Sequence, residues 1–454
     1  MPFASGNTPA YISAFRPGRI PYPTNDLLSK NTMKNKITYT EKFKTFHGKT
    51  LYENLTPDER QYIKHISYAL QFTFQEFRQV VEACRDLSMW GEEEFKIWWQ
   101  NQEKNVNNQS PRSKKKLLRQ LQTHLQQLRN QEKRYSSSTI FRPAQRSSKV
   151  VTVERNDKNI VGMCPVASEK TVCCNLRTID VVENCSYGCS YCTIQTFYGK
   201  DILIQDQIKE KLDKILIEPG RFYHFGTGQS SDSLVWGDRN NILSEHCAFA
   251  ERHPNILMEF KTKSDNIRFF LQNRVPENVV CSWSLNTQTV IANEEHFTPT
   301  LDRRLKAARQ VADRGVPVAF HFHPMVWYAG WDLDYPAIAR RLISMFDPSE
   351  ILFISLGTVT LIKPVIQKNR DLGNPTKTLQ MPFVSDPLGK LTYPDEIKIR
   401  LFREMLKAFA DWREDVFFYL CMEKAEIWKA SLGYVYKNNL QFEKEFGRQT
   451  TKKI

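Results

Sequence analysis

Between about residues 170 and 365, short β-rich runs alternate with helical stretches, and no other feature constrains the fold as tightly. The β-rich runs fall at 177–182, 221–225, 256–261, 279–284, 316–322 and 351–355. Helical patterns lie between them, near 205–216, 240–252, 264–272, 300–314 and 336–346. Six βα repeats, or five and a partial one, imply a parallel sheet that is either doubly wound or curled into a barrel. Polar or special residues follow almost every strand at the same end. A cysteine-rich loop follows the first, Gly226-Thr227-Gly228 through Ser231-Asp232 the second, and Thr262-Lys263-Ser264-Asp265 the third. Ser284-Leu285-Asn286, His321-Phe322-His323-Pro324 and Gly357-Thr358 end the last three. Parallel βα barrels build their sites from such carboxyl-end loops, so the pattern favours a barrel.

The flanks differ in texture. Residues 1–44 are rich in Pro, Asn, Ser and Thr and read as an extended arm. A helical module is expected over 45–105. Thr56-Pro57-Asp58-Glu59 spells its start, and Ile63, Ile66, Leu70, Phe74, Phe77, Val81 and Cys84 mark one face of a long helix. Trp90, Phe95, Trp98 and Trp99 follow, as core residues or, if exposed, as a stacking surface for nucleic acid. Residues 106–160 read as a basic linker or arm, with Leu117, Leu121, Leu125 and Leu128 giving a short helix a thin apolar stripe. The stretch 101–150 holds twelve Lys/Arg against two Glu, so +10 of the net +14 sits there. Such a run is either a solvated linker or an arm that neutralises phosphates. The barrel is expected over 165–365 and a C-terminal cap over 366–454, with an amphipathic helix at 397–411 and an apolar run at 416–420.

Ten cysteines in 454 residues are far too few for a disulfide scaffold. No apolar run approaches the length of a membrane span, and the first residues lack a secretory pattern. The expectation is a cytoplasmic, reducing setting with no membrane partner and with cysteines kept as thiols or metal ligands.

Cys185, Cys189 and Cys192 form C-x3-C-x2-C directly after the first strand. Three thiolates within eight residues can wrap one face of an iron–sulfur cube, which ordinarily takes four ligands. With three local ligands, one iron stays open. A zinc site completed by a distant residue and a coincidence of core cysteines are the alternatives. Cys164, Cys173 and Cys174 are too irregularly spaced for a second site, and with Cys84, Cys247, Cys281 and Cys421 they read as buried thiols.

This loop resembles that of the radical S-adenosylmethionine enzymes. Together with GTGQSSDSL, EFKTKSDNI, SWSLNTQTVIANEEHFTPTLDRRLKAARQVADRG and VAFHFHPM it resembles, in order and spacing, the spore photoproduct lyase family over roughly 176–423. The resemblance implies an α/β fold: a partial (β/α)6 barrel of the radical S-adenosylmethionine type, with an N-terminal helical and basic extension and a C-terminal α+β cap. It implies a [4Fe-4S] cluster on Cys185, Cys189 and Cys192, with S-adenosylmethionine on the open iron. Gly226, Thr227 and Gly228 would lie beside the methionine amino group, Ser231 and Asp232 near the ribose, Lys263 on the carboxylate and Ser284 close by. Tyr191 is retained as the catalytic candidate. His321 and His323 share one face of their strand, and whether that face lines the barrel stays open. Two positions depart from the family. Its hydrogen-donating cysteine aligns with Gln229, and a tyrosine aligns with Thr193. The implied function is reductive cleavage of S-adenosylmethionine coupled to repair-like chemistry on nucleic acid, most simply DNA, with a reductase, ferredoxin or flavodoxin-type electron donor. The alternatives are the same chemistry on RNA, a peptide or a small molecule, or a nucleic-acid-binding protein with a structural metal.

Overall fold

A computed structural model describes residues 38–105, 111–135, 149–164, 170–197, 199, 201–386 and 388–454. Residues 1–37 of the expected arm lie outside the described residues. Its last residues are not extended, because Thr38 caps helix α1 (Tyr39–His47) with a reciprocal Glu41.

The expected long helix is two. Thr56 and Glu59 box the start of α2 (Pro57–Leu70), which ends where Gln71 turns left-handed at φ 51°. A second capping box, Thr73 with Glu76, then opens α3 (Phe74–Trp90). Helices α4 (Phe95–Lys104) and α5 (Pro111–Asn130) complete the module. Trp90, Trp98 and Trp99 are buried, so they pack the module and offer no stacking surface. The basic linker is corrected too. Leu117, Leu121 and Leu125 bury one face of α5 against α3 and α4. Its charge is partly spent inside: Lys114 pairs with Glu76 at 2.9 Å, while Arg129 lies 3.6 Å from Asp86. Arg112, Lys115, Lys116 and Arg119 stay exposed on the outer face.

The barrel is a curled sheet of eight strands in sequential order: Val161–Met163, Arg177–Ile179, Tyr223–Thr227, Ile256–Thr262, Val279–Ser284, Val318–Met325, Ile351–Thr358 and Phe417–Leu420. The first pair is antiparallel and every later pair parallel. Burial on both faces explains the continuous apolar runs, such as Ile351–Thr358, every residue of which is buried. All six expected strands are present, though the first is shorter: Val182–Glu183 turns away to join a small sheet with Val151–Glu154 and Ile202–Gln205. Inside the stretch expected as the cap, Phe417–Leu420 adds a parallel strand to the barrel sheet beside Ile351–Thr358. Within the cap the amphipathic helix spans Asp395–Ala408.

The N-terminal module docks on the segment that follows Ile351–Thr358, through an ion pair and a hydrogen bond. Arg370 bonds both oxygens of buried Asp86 at 2.8 and 2.7 Å, and Lys377 reaches the Trp90 carbonyl at 2.7 Å.

Candidate active site

The cysteine loop is held from several sides. Asn184 sits left-handed at φ 71°, and its side chain donates to the carbonyls of Gly199 and Asp201 while accepting from the Cys185 N–H at 2.8 Å. Gly188–Cys189 pairs antiparallel with Glu295–His296. The Ser190 N–H donates to the Glu294 carbonyl at 2.9 Å and its hydroxyl to the Glu294 carboxylate. That carboxylate also accepts from Thr376, Thr378, the Lys377 N–H and Tyr135 of the N-terminal extension. Burial pushes the Cys185 thiol up to about 11 and raises those of Cys189 and Cys192. A ligand that binds the thiolates must therefore displace protons.

All three cysteines open onto one cavity of about 270 Å³ at the carboxyl ends of the parallel strands. Tyr191, Gly228, Gln229, Ser231, Asp232, Lys263, Ser284, His321 and His323 line the same space, so most of the expected residues meet there. Gly226 and Thr227 do not. A Cβ on Gly226 would sit 2.9 Å from Leu176, so this glycine serves close packing inside the protein. Thr227 hydrogen-bonds Ser233 at 2.6 Å. Gly228, at φ +95°, reaches the wall, but a Cβ there would strike the Lys261 carbonyl at 2.6 Å. Glycine is required by the backbone rather than by a ligand's approach. Asp232 also braces its own loop. It accepts from the N–H groups of Leu234, Val235 and Lys263 and from the Thr262 hydroxyl, at 2.6–3.1 Å. Three of these donors converge on Oδ1 and one on Oδ2, so Oδ2 keeps an open acceptor position, and Ser231 and Asp232 both line the cavity.

The residues fit the implied groups. Among the described residues, no three His, Cys, Asp or Glu side chains could hold a single metal ion. The thiol trio suits a cluster that offers each thiolate its own iron. Lys263 stands beside Cys189 and Cys192; burial works against its charge, but Glu295 and these cysteines keep its ammonium above its ordinary range.

Sequence reasoning missed a buried ionic floor. Glu295 accepts from the Tyr191 hydroxyl and from Arg304 at 2.6 Å. Fully buried Arg304 also donates to the Ser284 and Pro299 carbonyls, at 2.9 and 3.0 Å. Deeper in the barrel, Glu259 accepts from His224 at 2.7 Å, from His321 and from Ser282. The histidine face therefore does line the barrel. Gly357 leaves room for the His323 ring, which a Cβ would meet at 2.8 Å.

Burial holds His321 and His246 down to about 4. Because these folded values lie below the unfolded 6.5, the stability from burying neutral imidazoles is complete above pH 6.5. It is lost as pH falls through 6.5 towards 4, at about 3 kcal/mol for each histidine. The urea midpoint is expected to fall steeply across that window, and to fall less in His246→Gln. A flat profile would refute the assignment.

The sequence profile described as "Spore photoproduct lyase" matches residues 169–368. The spore photoproduct lyase of Clostridium acetobutylicum is 24% identical over 183 residues, 38% of this chain and 54% of that protein. That of Bacillus subtilis strain 168 is 26% identical over 170 residues, 36% of this chain and 50% of that protein. The chain thus spans about half the length of the curated relatives it matches. A solved spore photoproduct lyase complexed with dinucleoside spore photoproduct aligns with a TM-score of 0.52 and 22% identity, covering 60% of this chain and 82% of that one. A variant of that enzyme with bound AdoMet and dinucleoside spore photoproduct aligns at 0.50 and 21%, with the same coverage. Over residues 169–368, where the barrel and the cysteine loop lie, the chain is therefore similar to the spore photoproduct lyases.

Proposed function

We propose that the chain is a radical S-adenosylmethionine enzyme that acts on a damaged base in nucleic acid, most simply a thymine photoproduct in DNA. The observation that carries this reading is the convergence of Cys185, Cys189 and Cys192 with Ser231, Lys263 and Ser284 on one cavity at the strands' carboxyl ends. When bound and reduced, a [4Fe-4S] cluster supplies the electron that splits S-adenosylmethionine into methionine and a 5′-deoxyadenosyl radical. The protein's part is to bind, orient and exclude water. Cys185, Cys189 and Cys192 would hold three irons. Lys263 would pair with the methionine carboxylate and Ser231 would donate to a ribose hydroxyl. The electron would come from an external reductase, ferredoxin or flavodoxin-type protein.

The nucleic-acid part of the reading draws support from the relatives' named substrate and from exposed Arg112, Lys115, Lys116 and Arg119 on α5. A base would have to leave its stack to enter the cavity. The test is product analysis after anaerobic turnover with dimer-containing DNA, undamaged DNA and RNA. Conversion of the dimer to two adjacent, uncrosslinked thymines in the strand supports the proposal. Gln229 favours a second reading, a different substrate for the same radical, and S-adenosylmethionine cleavage without dimer conversion would establish it. Lys263→Met is expected to weaken S-adenosylmethionine binding about ten- to hundredfold, the worth of one charged hydrogen bond. Unchanged affinity in equilibrium dialysis would remove Lys263 from the site.

A further inference from the structure

Seven of the ten cysteines line one cavity. Three form the loop already described. Cys164, Cys173, Cys174 and Cys421 stand on the remaining wall, and the proposed reaction gives them no role. They come from three separate segments. Cys164 follows the strand Val161–Met163, Cys173 and Cys174 precede Arg177–Ile179, and Cys421 follows Phe417–Leu420. Backbone bonds fix each segment: Cys164 N–H to the Leu176 carbonyl at 2.9 Å, Cys173 N–H to Asn439 at 2.9 Å, and Cys421 N–H to the Leu356 carbonyl at 2.8 Å. Among the described residues no cysteine is disulfide-bonded. Thiols in a solid core need no explanation, because cysteine is a good small apolar residue. These four instead border the space into which the cluster loop opens. Cys421 lies one residue beyond its strand, at the end of the sheet that carries the site, and is the least buried of the four. Burial keeps its thiol protonated. The S–H of Cys174 donates to Cys173, which brings Cys173 down to about 7 and holds Cys174 up.

A carbon radical formed in a protein cavity is quenched by the weakest X–H bond within reach, and thiol S–H bonds are among the weakest in proteins. We propose that Cys421, backed by the Cys173–Cys174 pair, donates a hydrogen atom to a carbon radical formed in this cavity, a role for which Gln229 has no suitable bond. The proposal rests on the radical reading above. In the step, the S–H bond of Cys421 breaks homolytically and a C–H bond forms, so the carbon radical is reduced and a thiyl radical remains. Cys174 passes a hydrogen atom to that thiyl. An external low-molecular-weight thiol then gives a hydrogen atom to the Cys174 thiyl, and the small thiyls left by two turnovers couple to a disulfide, so the external thiol is the net reductant.

The test uses the full chain, iron-loaded and reduced anaerobically in D2O, with S-adenosylmethionine and no added substrate. Exchanged S–D groups should place deuterium in the 5′-deoxyadenosine formed, and the deuterated fraction should fall at least fivefold in C421S. Lack of any cleavage by the unmodified chain would overturn the radical reading and this proposal together. Cleavage with a deuterated fraction that is unchanged in C421S and in the C173S/C174S double variant would overturn this proposal alone. A second readout needs no cluster: iodoacetamide should label Cys173, the wall thiol held down to about 7, in the folded, iron-free chain well before core Cys281. Equal labelling rates would contradict the cavity-facing placement. Iron retained by Cys185→Ala and lost on adding C421S would make the wall a metal site and overturn the donor role.

Discussion

Cys185→Ala is expected to reduce S-adenosylmethionine cleavage below detection and to remove the brown visible absorbance of the reconstituted chain. Cleavage needs a cluster with one open iron, and two thiolates from a three-cysteine loop leave two irons without protein ligands. The loss should be catalytic and not structural. The Cys185 sulfur accepts a long 3.5 Å contact from the Tyr187 N–H and one from the Asp232 backbone, whereas Asn184 and Ser190 carry the shorter bonds that shape the loop. Unfolding of the iron-free variant should therefore stay within about 1 kcal/mol of the unmodified chain. Cys247→Ala, at a buried thiol outside the cavity, should keep its absorbance and its cleavage. Anaerobic absorbance and chromatography of 5′-deoxyadenosine would read both variants. A colourless Cys247→Ala or an active Cys185→Ala would contradict the assignment of ligands.

The second large effect is expected at Arg304. Its guanidinium is fully buried and donates to the Glu295 carboxylate, the Thr298 hydroxyl and the Ser284 and Pro299 carbonyls. Arg304→Ala would strand a buried carboxylate and two carbonyls, a change that costs about 3–5 kcal/mol when one partner of a buried pair is removed. Arg304 and Lys263 draw Glu295 below its ordinary range against the effect of burial. Without Arg304, part of that carboxylate's demand should shift to Lys263 and to Tyr191. Urea unfolding of the iron-free variant should show the loss. A midpoint within error of the parent would show that the floor around Glu295 is looser than its hydrogen bonds indicate.

The barrel was legible because its strands are buried on both faces and announce themselves as β-branched, apolar runs. Lysine and histidine at their ends were legible because a buried sheet gives them no packing reason to recur there, whereas the glycines beside them serve packing and backbone geometry. Other features were hidden for physical reasons. The break at Gln71 interrupts neither the apolar stripe of α2 nor that of α3, so only the Thr73–Glu76 capping pair betrays it. Leu117, Leu121 and Leu125 form a stripe thin enough to suggest a solvated helix, yet that stripe is what docks α5. The bracing role of Asp232 was hidden, since loop-bracing and ribose-binding carboxylates look alike in sequence. Arg304 did leave a signal: it shares a helical face with Leu301, Leu305 and Ala308, where a charged residue demands a buried partner. The four extra cavity cysteines left none, because the folding of three distant segments brings them together.

The central claim is that three thiolates leave one metal corner open to the methionine end of S-adenosylmethionine. Electron paramagnetic resonance of the reduced, iron-loaded chain tests it most directly, recorded with and without S-adenosylmethionine. Ligation of the open iron should change the g-values of the cluster signal, and isotopic label on the methionine nitrogen should give a hyperfine coupling. A cluster signal that S-adenosylmethionine leaves unaltered, or a sample that binds zinc in place of iron, would contradict the account.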